Sequence, residues 1–165
     1  MHPSSMESMR VFVEKYLDPT KQLKILDVGS YDVNGSYKHL FSNPKWDYVG
    51  GDIEDGPNVD IVFNDPYHWN IPNDSFDVII SGQCVEHVED VKEWIKPLKN
   101  ILKKDGIVCI IGPNNTFPEH RYPVDCWRIF PDGMRFLLEN VCSFTMIECF
   151  IKGADCVGIA KKTLL

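Results

Sequence analysis

LKILDVGSYDVNGS, residues 23–36, decides how the fold is read. Leu23 to Val28 is an apolar run that ends in a glycine turn, the passage from a buried strand to a loop facing the ligand crevice of an open α/β sheet. A dinucleotide site places three glycines here so that backbone amides and a helix N-terminus can approach a pyrophosphate. In this stretch Gly29 is followed by Ser30 and Tyr31, and the next glycine is Gly35. Only Gly29 permits a close approach directly after the strand. Asp27, at the strand's carboxyl end, adds a negative charge. Set 4 Å from a phosphate, that charge would cost roughly 4 kcal/mol at an effective dielectric near 20. Set beside a cation, it is favourable by the same amount. The turn therefore suits a ligand with a positive centre and no phosphate.

Working outward, WDYVGGD (46–52), VDIVF (59–63), FDVIIS (76–81) and IVCIIG (107–112) read as further strands. They are apolar without strict alternation, as expected of parallel strands covered on both faces. Helical spacing predicts helices at about 4–17, closed by Pro19, at about 34–41, at 88–104 with Pro97 kinking it, and from 130 to 140. TMIECFI (145–151) and DCVGIAKK (155–162), separated by Gly153, read as a hairpin. Alternating strands and helices imply a doubly wound sheet within one domain over 1–165. Residues 1–19 form its N-terminal helical segment, and 114–131 a substrate or lid loop. IEDGPN offers only six residues between strands two and three, too few for a crossover helix, so that helix is expected to be missing.

Asp52 closes strand two, where nucleotide-binding sheets place a carboxylate for ribose hydroxyls. Asp65 follows strand three, within reach of an adenine amino group. Each acid alone also reads as a turn cap. Carboxylates at three successive strand ends make that bland reading a poorer account of the set.

ILDVGSYDVNGSY, YVGGDIEDGPNVDIV, NDPYHWNIPNDSFDVIISGQCVEHVEDV and LKKDGIVCIIGPN resemble the successive motifs of class I S-adenosylmethionine-dependent methyltransferases, with the nearest likeness to the methyltransferase type 11 group. HRYPVDCWRIFPDGMRFLLE extends the likeness into that family's variable C-terminal part. The turn departs from the family pattern in having Ser30 and Asp32 where further glycines are common. The resemblance implies a Rossmann-like sheet of order 3-2-1-4-5-7-6 with an antiparallel strand seven. It implies S-adenosylmethionine as cofactor and S-adenosylhomocysteine as product. Asp27, Gly29 and Ser30 would surround the methionine part; Asp52 and Ile53 would hold ribose and adenine; Asp65 would reach the adenine edge. Ser81, Gly82 and Gln83 would line the sulfonium side, and His87, in the EH pair after strand four, would lie at the cofactor's rim.

Methyl transfer is an in-line displacement, so the protein mainly aligns a nucleophile and excludes water. A hydroxyl acceptor would call for a base, and His87, His120 and Asp125 are the candidates. His87 also reads as a structural hydrogen bond at a helix start, and His120 as a solvated loop histidine. Tyr122, Trp127 and Arg128 form either an acceptor wall or a lid anchored by Trp127.

Composition narrows the partners. Seventeen Lys and Arg against 24 Asp and Glu give a net charge of −7, which repels nucleic acid and anionic membrane. The N-terminus lacks a signal-peptide pattern, and no segment is long enough to span a bilayer. The six cysteines are spread through apolar stretches without the close pairs zinc sites favour, so reduced core thiols, a cytoplasmic location and no metal are expected. The function expected is methylation of a small molecule or saccharide at oxygen, with a homodimer as the form in which a second copy completes the acceptor pocket. A non-catalytic cofactor-binding domain and an NAD-dependent oxidoreductase are the alternatives.

Overall fold

The computed structural model describes residues 1–163. Seven strands form one sheet: β1 (Leu23–Val28), β2 (Trp46–Asp52), β3 (Ile61–Val62), β4 (Phe76–Gly82), β5 (Leu102–Pro113), β6 (Thr145–Lys152) and β7 (Asp155–Lys161). Their order is β3-β2-β1-β4-β5-β7-β6. The first five run parallel, and β7 lies antiparallel to both β5 and β6. This is the expected order and the expected hairpin.

Alternation along the strands divides the core in two. Ile25, Val78, Ile80, Cys109 and Ile111 face α1 (Pro3–Tyr16), which buries Met9, Phe12 and Val13 at helical spacing. Leu26, Val28, Ile79, Val108 and Ile110 face the other way, onto α2 (Val91–Ile101) through Trp94, Ile95 and Leu98. Six cysteines are free, but Cys126 is exposed and so is no core thiol.

Several elements differ from the periodicity. The helix expected over 34–41 is only a 3-10 turn, Lys38–Phe41. Asp32 Oδ1 accepts the Gly35 N–H at 2.7 Å and Gly35 has φ +108°, so local side-chain bonding holds the chain in a loop where a helix would begin. Helix α2 starts at Val91, its cap Asp90 accepting the Glu93 N–H at 3.1 Å. It ends at Ile101, because the Asn100 and Ile101 carbonyls accept the N–H groups of Asp74 and Ser75. Residues 102–104 then enter β5, which is longer than expected. After α3 (Pro131–Arg135) the chain continues as a π-helix over Phe136–Val141. Strand β3 keeps two residues of the five expected. Residues 53–60 carry turns and no crossover helix, as the six-residue spacing required.

Candidate active site

At the carboxyl ends of the parallel strands lies a cleft of about 570 Å³. Its floor begins at the Gly29 turn. Gly29 has φ +79°, and a Cβ there would sit 2.6 Å from Cys84 Sγ, so both conformation and packing require glycine. The amides of the turn are already spent: Gly29 and Ser30 donate to Gly51 O at 2.8 and 3.2 Å, and Tyr31 donates to Asp52 Oδ2 at 3.0 Å. Three consecutive N–H groups thus bond within the protein. A diphosphate would find no amide cradle there.

Asp52, the last residue of β2, and Ile53 after it line the cleft, and Ile53 is half exposed. Gly82, the last residue of β4, and Gln83 and Cys84 after it line the cleft as well. Gly82 is held to glycine by Tyr37, whose hydroxyl and ring occupy the space a Cβ would fill. Gln83 Nε2 donates to the buried Asp155 Oδ1 at 2.7 Å. Asp27 does not line the main cleft. It is buried beside a pocket of about 20 Å³ behind Gly29, and its Oδ2 accepts the Tyr48 hydroxyl. Burial, opposed by that hydrogen bond and aided by Asp52, pushes the Asp27 carboxyl up to about 7.

Other expected residues have structural partners. Ser30 Oγ donates to Asn58 O at 2.7 Å, and the buried Ser81 Oγ donates to Val28 O at 2.8 Å; both brace the turn outside the main cleft. Asp65 caps its own turn, accepting the Tyr67 and His68 amides and pairing with His68 Nδ1 at 2.8 Å. It is absent from the cleft wall, where Phe63 and Pro66 stand on either side of it in sequence.

The far end of the cleft joins a 3-10 turn, Val85–His87, to the loop over 114–131. His87, His120 and Tyr122 line it. His87 Nδ1 lies 2.6 Å from Val124 O. A carbonyl only accepts, so Nδ1 carries a proton, and in the neutral tautomer this contact selects Nε2 is the nitrogen with a lone pair. The His87 and His120 rings meet edge to face with centroids 4.8 Å apart. Burial and His87 hold His120 below its ordinary pKa.

Asp125 does not reach the cleft wall. Arg128 grips both its oxygens, at 2.6 and 2.8 Å, and holds the carboxyl well below the usual carboxylate range, so Asp125 is no base. It instead accepts the His120 N–H at 2.7 Å. Arg128 also donates to the carbonyls of Phe117, Pro118 and Trp127. The Trp127 indole donates to Val88 O at 2.7 Å. Of the three residues expected to form an acceptor wall or a lid, only Tyr122 lines the cleft; Trp127 and Arg128 fasten the loop.

Sequence reasoning passed over three contributors. Glu86 is fully buried, its carboxylate oxygens have no hydrogen-bond partner, and burial pushes it up to about 8. It stands beside His87 in the EH pair, but nothing in the sequence places His120 next to it. Phe117 and His2 stack at 4.0 Å across the mouth, and His2 Nδ1 lies 3.2 Å from Asp155. Their separation of 115 positions hides that contact from any local pattern.

The match to a family model described as a methyltransferase domain covers residues 7–145. A rice (Oryza sativa subsp. japonica) 2-methyl-6-phytyl-1,4-hydroquinone methyltransferase is 34% identical over 80 residues, 48% of this chain and 24% of that protein. The ubiquinone biosynthesis O-methyltransferase of Pelagibacter ubique is 32% identical over 91 residues, 54% of this chain and 35% of that protein. The chain thus spans no more than about a third of these relatives. Among solved structures, the Burkholderia thailandensis 1,6-didemethyltoxoflavin-N1-methyltransferase, with bound S-adenosylhomocysteine, matches with TM-score 0.77 at 15% identity, over 97% of this chain and 79% of that one. A SAM-dependent methyltransferase from Methanosarcina mazei matches with TM-score 0.74 at 15% identity, over 100% and 99%. At such identity these structures share the fold.

Proposed function

This chain belongs to the methyltransferase-domain family, and we propose that it transfers a methyl group from S-adenosylmethionine to an oxygen of a small molecule. The observation that carries this reading is the spent turn. With its three amides bonded inward, the Asp52 carboxylate in the cleft wall and the Asp27 carboxyl buried behind Gly29, the strand-end floor fits a cationic nucleoside and disfavours the diphosphate of a nicotinamide cofactor. Such a cofactor supplies a methyl group on a positively charged sulfur. Asp52 accepts the ribose hydroxyls, Ile53 packs on the base, and Gly29, Gly82 and Gln83 leave room along the methionine part. Ser30 and Ser81 keep that floor in shape, Asp27 favours the positive charge from behind Gly29, and Asp65 reaches the adenine edge only by releasing His68.

The acceptor enters at the His87 and His120 end. There its oxygen attacks in line, its electron pair forms the bond to carbon, the carbon–sulfur pair stays on sulfur, and the hydroxyl proton is lost. Phe117 and Tyr122 give this end flat apolar walls, which suit a hydroxylated ring better than a saccharide. Two relatives named for hydroquinone and ubiquinone chemistry support that preference. Six unpaired thiols support a reducing compartment such as the cytoplasm, and among the described residues no helix is long and apolar enough to cross a membrane.

Calorimetry with S-adenosylhomocysteine, followed by methyl-label transfer to hydroxylated aromatic compounds and to saccharides, tests this reading. Micromolar cofactor binding with label on a ring hydroxyl is expected. Binding without label on any acceptor would identify a non-catalytic domain, and binding of NAD instead would end the proposal.

A further inference from the structure

We infer that Glu86, His87 and His120 form a binding site for one divalent transition-metal ion of the zinc class, at the acceptor end of the cleft. Among the described residues these three bring one ligand atom each to within 4.8 Å of one another, and His120 Nε2 is already 3.7 Å from Glu86 Oε2. Metal–ligand bonds of about 2.0–2.2 Å put ligand atoms roughly 3.5 Å apart in a tetrahedral site, so the set must contract by about an ångström. His120 stands on the loop over 114–131 and can supply that movement.

Glu86 is the independent sign of a missing cation. It is fully buried, and neither of its oxygens has a hydrogen-bond partner. A buried carboxyl whose two oxygens bond to nothing is a costly arrangement in either protonation state, and a cation beside it would supply the missing partner. The charges around it do not supply the partner: Asp125 and Asp155 repel it, and the Arg128 fork is spent on Asp125.

The outer contacts also match a metal centre. A ligating histidine usually donates its second ring nitrogen to a carbonyl or carboxylate, which fixes the tautomer. His87 does this with Val124 O. His120 Nδ1 lies 3.6 Å from Asp125 Oδ2, a small ring rotation from the same arrangement, with Asp125 held in turn by Arg128. Both Nε2 atoms are then left for the metal beside Glu86. Since both histidines line the cleft, the open coordination position faces the acceptor.

This inference rests on the acceptor end proposed above and deepens it. A hydroxyl bound at the open position loses its proton to solvent more readily, so the two histidines serve as ligands and not as bases. The tests use the full chain, stripped of metal with a chelator and free of cofactor. Zn²⁺ titrated by calorimetry is expected to bind with one equivalent, and Co²⁺ to give visible absorption bands of a tetrahedral or five-coordinate nitrogen and oxygen site. Glu86→Gln and His120→Gln should each weaken Zn²⁺ at least about tenfold and remove the bands, while S-adenosylhomocysteine still binds. Circular dichroism checks the buried Glu86 variant, and the loop variant His120→Gln gives an answer even if that one fails to fold. No stoichiometric Zn²⁺ or Co²⁺ binding, wild-type affinity in the variants, or a cobalt–thiolate band assigning the ion to cysteine would each overturn the site. Loss of S-adenosylhomocysteine binding in the wild type would sink the methyltransferase reading and leave the metal result standing.

Discussion

At one end of the cleft, the lining groups hang from strand termini: Gly29 at the end of β1, Asp52 and Ile53 at the end of β2, Gly82 and Gln83 at the end of β4. At the other end they come from a 3-10 turn and a long loop whose conformation is fixed by side chains, chiefly Arg128. The first end is positioned by the sheet and costs nothing extra to hold. The second depends on a network that can be cut at single residues without touching the core. Loops carried on a rigid scaffold are where binding specificity is most easily altered, so the second construction is the more adjustable of the two.

The difference can be broken from either side. The largest expected effect is at the rigid end. Asp52→Ala should lose about 3 kcal/mol of S-adenosylhomocysteine affinity, more than a hundredfold, since charge-assisted hydrogen bonds contribute about 1.5–3 kcal/mol each. Calorimetry reads the loss, and near-normal affinity would remove Asp52 from the ribose role.

Next comes the network. Arg128→Lys keeps the charge but not the fork that holds Asp125 and three carbonyls. It should loosen the loop by about 2 kcal/mol. Hydrogen exchange over 117–127 should rise with little change in melting temperature; a large fall in melting temperature would show that the loop and the sheet are one cooperative unit.

A smaller effect sits behind Gly29. With its carboxyl pushed up to about 7, Asp27 is charged above that pH and neutral below it. A positively charged ligand binds the charged form better, so affinity should fall as pH drops below about 7, by at most about tenfold per unit for one proton. Asp27→Asn should flatten the profile. A profile that stays sloped in the variant would assign the pH dependence elsewhere.

The smallest effect is expected from His2→Ala, which removes the stack on Phe117 and the contact with Asp155. It should cost about 0.5–1 kcal/mol, seen as a few-fold faster cofactor release in stopped-flow. An unchanged rate would mean that the contact across the mouth does not retard exit.

The same contrast explains what the chain discloses before folding. Strand ends follow from hydrophobic runs, so Asp27, Gly29 and Asp52 could be placed by eye, and the six-residue gap before β3 foretold the missing helix. The loop carried no such period. Tyr122, Trp127 and Arg128 are all large and amphipathic, and nothing local separates the one that faces the cleft from the two that face away. Glu86 lay in plain view beside His87, yet its meaning depends on His120, 34 positions later and across the cleft. For Ser30 and Ser81 position along a strand end was legible, while the direction of each hydroxyl depended on the carbonyls of Asn58 and Val28.

Because β7 runs against its neighbours, it enters the sheet where the parallel strands leave it, with Asp155 opposite Pro113. The hairpin tip therefore stands at the ligand pole, its Gly153 and Ala154 carbonyls bonded to Asn114 and its Asp155 to Gln83. Residues inserted between Lys152 and Asp155 would add to the wall beside Gln83 and alter what the crevice admits. Residues inserted at 43–45, which feed the start of β2, would lengthen the molecule at its opposite pole and leave the crevice as it is.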